Sequence, residues 1–116
     1  MVNPRAYVPQ FGDVVWITLN PQAGREQGGR RPAVVLSPRT YNGKTGLLLA
    51  CPITSQVKGY PFEVILPDGL PVSGALLVDQ TKSLDWQVRD ASFICTVPSL
   101  VLGEALGKLI ALLSTK

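Results

Sequence analysis

Residues 26–38 read EQGGRRPAVVLSP. The second half of this stretch, residues 32–37 (PAVVLS), is a short run rich in valine that opens on a proline and is stopped by Pro38. That pattern predicts a buried strand, and the run is too short for a helix. The first half closes a polar, glycine-rich segment, residues 20–31 (NPQAGREQGGRR), which has four charges and no periodicity. A loop of about a dozen residues without structure of its own is uncommon in a compact domain and is more often functional than idle.

Outward from this stretch the chain keeps the same short β rhythm. Residues 14–19 (VVWITL) lie between Gly12-Asp13 and Asn20-Pro21 and predict the preceding strand. On the other side, Tyr41-Asn42-Gly43-Lys44 predicts a turn into an apolar strand over 46–53, followed by a polar loop at 54–60 (TSQVKGY). Further strands are expected at 62–66, 75–79 and 91–97, with a turn at Pro67-Asp68-Gly69 and a polar stretch over 80–85. Trp16 and Trp86 are both expected in the core. From Pro98 onward the period changes: Leu102, Leu106, Leu109, Ile110 and Leu113 form an apolar stripe along one helix face. With 11 glycines and 10 prolines breaking long helices, the expected fold is mainly β: one domain over residues 1–116, a small barrel of short antiparallel strands with a C-terminal α-helix.

Composition narrows the function classes. The chain has 116 residues, 46% of them hydrophobic and 16% charged, which suits one folded domain rather than a disordered tail. No apolar run approaches the roughly 18–20 residues needed to cross a bilayer, and Met1-Val2-Asn3-Pro4-Arg5 has no apolar signal stretch. A cytoplasmic protein with no membrane partner is expected. The histidine count is 0, which removes His–His ribonuclease chemistry, Ser-His-Asp hydrolysis, Cys-His proteolysis and histidine metal sites. Cys51 and Cys95 lie in apolar runs and read as core thiols, and two cysteines cannot build a four-thiolate zinc site. Neither a metal nor another cofactor is expected. The formal net charge is +3, unevenly spread: residues 1–60 have seven cations and two acids, residues 61–116 four cations and six acids. A basic first half suits a polyanionic partner.

Three polar stretches can carry chemistry. In residues 26–32 an acid, an amide, two glycines and two arginines meet where the loop enters a strand; the glycines allow close approach and guanidiniums fork onto phosphate. Residues 52–60 place hydroxyls, an amide and an ammonium at the end of an apolar strand. Residues 79–86 (DQTKSLDW) hold a third polar set.

In this order, residues 11–16 (FGDVVW), 26–38, Tyr41-Asn42 with Lys44-Thr45-Gly46, 58–64 (KGYPFEV), and Asp79-Gln80 with Lys82-Ser83 resemble the MazF family, also called PemK or Kid-like, of toxin–antitoxin endoribonucleases. The resemblance spans nearly the whole chain up to about Trp86. It implies an SH3-like barrel acting as a homodimer that cleaves single-stranded RNA, mRNA included, at short sequences without a metal. A cognate MazE-like antitoxin would neutralise it, and cleavage would stop translation and growth. The family's functional arginine, which precedes the proline of the RPAVVLSP-like motif, maps to Arg31, its strand-end threonine to Thr54 and its loop glutamate to Glu26. Arg30 stands where close relatives can carry histidine.

The expected chemistry is attack of a 2′-OH on the adjacent phosphate, giving a 2′,3′-cyclic phosphate and a 5′-OH. Without histidine the largest contribution is electrostatic: Arg31 against the phosphate oxygens, with Thr54 donating to the same phosphate and Glu26 as base. Gln27, Ser55, Gln56 and Gln80 are expected to read unstacked bases, and Lys58 and Lys82 to touch phosphate. Two other readings stand beside this one: a non-catalytic RNA-binding barrel, and a gyrase-poisoning toxin resembling CcdB. The latter family ends in Trp-Gly-Ile, whereas this chain ends Leu113-Ser114-Thr115-Lys116.

Overall fold

The apolar run at 14–19 becomes a strand buried on both faces, and this explains why its hydrophobic residues do not simply alternate. The computed structural model describes residues 6–19 and 24–114; the five N-terminal residues, residues 20–23 of the polar loop, Thr115 and Lys116 lie outside them. Along the described chain run β1 (Asp13–Leu19), β2 (Gly29–Val35), α1 (Arg39–Thr45), β3 (Leu47–Thr54), β4 (Glu63–Ile65), β5 (Ala75–Leu77), a 3₁₀ turn (Val78–Gln80), β6 (Lys82–Asp85), β7 (Ser92–Thr96) and α2 (Ser99–Leu113). The sheet order is β4-β5-β3-β2-β1-β7, with β6 also on β3, and each pairing is antiparallel. β3 divides its length among three neighbours: residues 47–50 pair with β6, 50–52 with β2, and 53–54 with β5. One strand thus joins two parts of the sheet and curls it, giving the mainly β, SH3-like barrel with a C-terminal helix that the sequence predicts.

Two cores lie on the two faces. Val14, Val34, Cys51, Ile53 and Leu76 pack beneath α2 through Val101, Leu102 and Ala105. Val15, Ile17, Leu19, Val35, Leu48, Leu84 and Trp86 fill the other side. Asp13 is buried but satisfied: it accepts from the Tyr7 hydroxyl at 2.6 Å and the Gln10 N–H at 3.0 Å. Burial and this carboxylate hold the Tyr7 phenol well above its ordinary pKa. Burial also pushes the Cys51 thiol up to about 12, so it is an inert core group; Cys95 is half-buried and likewise raised.

Several expectations are corrected. The turn expected at Tyr41–Lys44 is the helix α1, held by Asn42, which is fully buried. The Asn42 side chain accepts from Ser37 Oγ at 2.6 Å and donates to the Pro9 and Ser37 carbonyls at 2.8 and 3.0 Å. Its backbone carbonyl accepts from Trp86 Nε1 at 2.9 Å. These tertiary bonds outweigh the weak helix propensity of Asn and Gly. The polar stretch at 80–85 contains the strand β6, in which only Leu84 is buried. Trp16 is 42% exposed, because α2 covers the Val14 end of that face and not the Trp16 end. The helix stripe is also shorter than expected. Leu102 is buried and Leu109 packs on the core, whereas Ile110 and Leu113 are 63% and 73% exposed; Val101 and Ala105 take the inner positions instead.

Candidate active-site groove

The last ladder pair between β2 and β3 at their open end is Ala33 with Pro52. Two residues further along each strand, on the same face, stand Arg31 and Thr54. They are not paired, because Thr54 has turned to pair with Ala75 of β5. The strands therefore diverge, and the gap is a groove of about 740 Å³ lined by Arg31 and Thr54 together with the loops at 24–27 and 55–60 and the turn at 79–80.

β2 begins at Gly29, three residues before the expected Pro32, so Arg30 and Arg31 belong to the strand and point to opposite faces. Arg31 Nε donates to the Gly28 carbonyl at 2.9 Å. Its two terminal nitrogens have no hydrogen-bond partner among the described residues. Arg30, on the far face, donates to Thr18 Oγ1 at 3.2 Å, the Arg89 carbonyl at 3.4 Å, the Asp90 carbonyl at 2.7 Å and Ser92 Oγ at 3.2 Å. It is a staple, not a groove group.

Thr54 is buried, and its hydroxyl oxygen accepts the Gln56 N–H at 3.1 Å, which leaves the hydroxyl proton to donate. Its position depends on Gly74: a Cβ there would sit 1.9 Å from the Thr54 carbonyl oxygen, and φ of +116° already excludes ordinary side chains.

Each groove loop is tied down by a side chain from a neighbouring element. Glu63 is buried, and its carboxylate accepts the Gly59 N–H at 2.8 Å and the Lys58 N–H at 3.2 and 3.3 Å, holding the turn that carries Lys58. Lys108 of α2 donates to the Glu63 carbonyl at 2.7 Å. On the other side Gln80 Oε1 accepts the Gln27 N–H at 3.0 Å and Gln80 Nε2 donates to the Arg25 carbonyl at 3.1 Å. Gln27 Oε1 is buried with no partner among the described residues.

Of the residues the sequence nominates, Glu26, Gln27, Arg31, Thr54, Ser55, Gln56, Lys58 and Gln80 meet in this groove. Lys82 does not line it; it sits on β6 opposite Ala50. Tyr60, Glu63 and Asp79 also line the groove. All three lie in the quoted motifs KGYPFEV and Asp79-Gln80, but an acid or a phenol in a loop gives no sign of which wall it supports. Despite the basic first half of the chain, the charged lining residues balance: Arg25, Arg31 and Lys58 against Glu26, Glu63 and Asp79. Among the described residues no three His, Cys, Asp or Glu side chains form a set able to hold a metal ion. The arrangement thus presents the Arg31 guanidinium and the Thr54 hydroxyl proton to the groove, where an anion could meet both, with a carboxylate, Glu26, on the adjacent loop.

The family model of PemK-like, MazF-like toxins of type II toxin–antitoxin systems matches residues 10–113. The chain is 54% identical over 86 residues to the endoribonuclease toxin MazF of Escherichia coli strain K12, covering 74% of this chain and 77% of that one. It superposes on the crystal structure of MazF from Deinococcus radiodurans with a TM-score of 0.90 at 58% identity, covering 94% of this chain and 99% of that one. A MazE–MazF structure from the same organism matches with a TM-score of 0.85 at 57% identity, covering 95% and 99%.

Proposed function

The chain belongs to the PemK-like, MazF-like toxin family of type II toxin–antitoxin systems, and from that premise we propose that it is an endoribonuclease toxin whose groove cuts single-stranded RNA at short sequences without a metal. The whole chain acts as one such domain. The carrying observation is that Arg31 and Thr54 face one gap, the guanidinium ends having no hydrogen-bond partner among the described residues.

A phosphodiester in the gap meets the Arg31 terminal nitrogens with its non-bridging oxygens. The planar fork of a guanidinium matches phosphate geometry. Thr54 donates its hydroxyl proton to the same phosphate. Both interactions strengthen as the 2′-oxygen attacks and negative charge builds on phosphorus, so they favour the transition state over the bound substrate. Glu26 takes the 2′-OH proton, and the 5′-oxygen leaves with a proton from water in the open groove. The products are a 2′,3′-cyclic phosphate and a 5′-OH.

Gln27, Ser55 and Gln56 present amides and hydroxyls to base edges, and Lys58 steadies a neighbouring phosphate. Lys82, outside the lining, is left to phosphates leaving the groove. Such edges are hidden in a duplex. The same cut sequence placed in a hairpin loop and in its stem is therefore expected to be cleaved in the loop alone, and equal cleavage of both contradicts this reading.

The MazE–MazF relative shows a toxin of this family with its antitoxin, and we assign this chain a cognate MazE-like antitoxin and a homodimeric working form. No helix among the described residues is long and apolar enough to cross a membrane, and we place the protein in the cytoplasm, where mRNA is its substrate and translation and growth stop when it is free. The gyrase-poison and non-catalytic readings give way to the family match with named endoribonucleases.

A further inference from the structure

Gln80 makes two hydrogen bonds to the backbone of one short loop segment. Its Oε1 accepts the Gln27 N–H at 3.0 Å, and its Nε2 donates to the Arg25 carbonyl at 3.1 Å. The two partners flank Glu26. A single side-chain amide thereby gives this loop the donor–acceptor pair that a neighbouring strand would otherwise supply.

The platform beneath Gln80 is firm. Gln80 closes the 3₁₀ turn Val78–Gln80, and Val78 is fully buried. The Val78 N–H donates to the Phe62 carbonyl at 3.1 Å. The Val78 carbonyl accepts both the Thr81 N–H at 3.2 Å and the Thr81 hydroxyl at 2.7 Å. Through Gln80 the 25–27 segment is therefore referred to the same core that carries β3 and Thr54. The two bonds use one Oε1 lone pair and one Nε2 hydrogen and so fix the plane of the amide; turning it to meet a base edge would break the clip.

We infer that Gln80 is a positioning residue: its side-chain amide clips the 25–27 segment to the core so that Glu26 and Gln27 are held in register with Arg31 and Thr54, and it does not itself read a base. The inference rests on the groove being the RNA-cleaving site proposed above.

The test compares wild type, Gln80→Ala and Gln80→Glu. The Glu variant keeps the acceptor for the Gln27 N–H but sets an oxygen against the Arg25 carbonyl, so it breaks half of the clip. Three quantities are read: amide hydrogen exchange at Gln27 without RNA, steady-state kcat and KM on a single-stranded RNA, and the mapped cut sequences. The expected result is Gln27 exchange at least about fivefold faster in Gln80→Ala, with Gln56 exchange unchanged. It also includes a fall in kcat of about 10-fold to 100-fold with KM within about threefold, a smaller fall in Gln80→Glu, and the same cut sequence throughout.

A changed or relaxed base at one position of the cut sequence would overturn the inference and make Gln80 a reader. Unchanged Gln27 exchange would also overturn it. If wild type cut no RNA, the groove reading would fail, while the exchange measurement, made without RNA, would still decide whether the clip exists.

Discussion

Arg30 and Arg31 are neighbours in sequence and identical in chemistry, yet they lie on opposite faces of β2 and do opposite work. Arg30 spends its guanidinium on Thr18, Arg89, Asp90 and Ser92, tying the end of β1 to the chain entering β7. Among the described residues Arg31 makes one side-chain bond, through Nε, and its terminal nitrogens are left to the groove. The strand's alternation, not the count of positive charges, decides which arginine faces the groove. The balanced charge of the groove lining makes the same point at larger scale: the groove is not a generally basic surface, so placement rather than charge count distinguishes its arginines.

The largest effect that sharpens this contrast is expected in Arg31→Ala. Single-turnover cleavage should fall by about 100-fold to 1,000-fold with the melting temperature nearly unchanged, since only one hydrogen bond to the fold is lost. A loss of stability equal to that in Arg30→Ala would break the comparison. Next comes the opposite wall. Gly74→Ala forces a methyl onto the Thr54 carbonyl at a left-handed φ, and denaturant titration should show a loss of about 2–3 kcal/mol. Cleavage by the remaining folded fraction should fall as Thr54 shifts; wild-type stability would show that the wall yields without cost.

Arg30→Ala should lose about 1–2 kcal/mol of stability, mostly through its hydrogen bonds, because the Asp90 ion pair at 3.8 Å is exposed and worth little. Its cleavage rate should stay within about threefold of wild type when assayed well below melting. The smallest effect is expected from pH. The buried Cys51 thiol adds a stability effect only at alkaline pH. Its folded pKa of about 12 lies above the ordinary 9.0, so its contribution is full below 9 and is lost as pH rises from there toward 12. Cys51→Ala should flatten that alkaline limb of a pH–stability curve, and an unchanged limb would contradict the assignment.

The contrast between the two arginines also shows what a sequence reveals and what it hides. The apolar runs at 14–19, 32–37 and 46–53 announce β1, β2 and β3 because burial on both faces over much of each strand requires nearly continuous hydrophobic residues, although Trp16, Leu47 and Leu49 are exposed. β6 is hidden because four residues with one buried leucine carry too little pattern. Helix α1 is hidden because its cause is a set of tertiary hydrogen bonds to Asn42. Trp16 is misread because how far a helix reaches along a sheet depends on packing that local sequence does not encode. At the groove, Glu26, Arg31 and Thr54 are legible as residue types at a loop–strand boundary and through the family motif. The supporting parts played by Glu63 and Gln80 are not, since each bonds backbone groups whose positions exist only in the fold. Lys82 is nominated by its charge within a matched polar stretch, and β6 carries it away from the lining.

The most direct test of the central claim is cleavage of a long single-stranded RNA in EDTA by wild type and Arg31→Ala, with every new 5′ end mapped and its chemistry determined. Cuts by wild type at one short sequence, each leaving a 5′-OH, and their loss in Arg31→Ala are the predicted result. Cleavage that requires added Mg²⁺, or that continues at the same sites in Arg31→Ala, would contradict it.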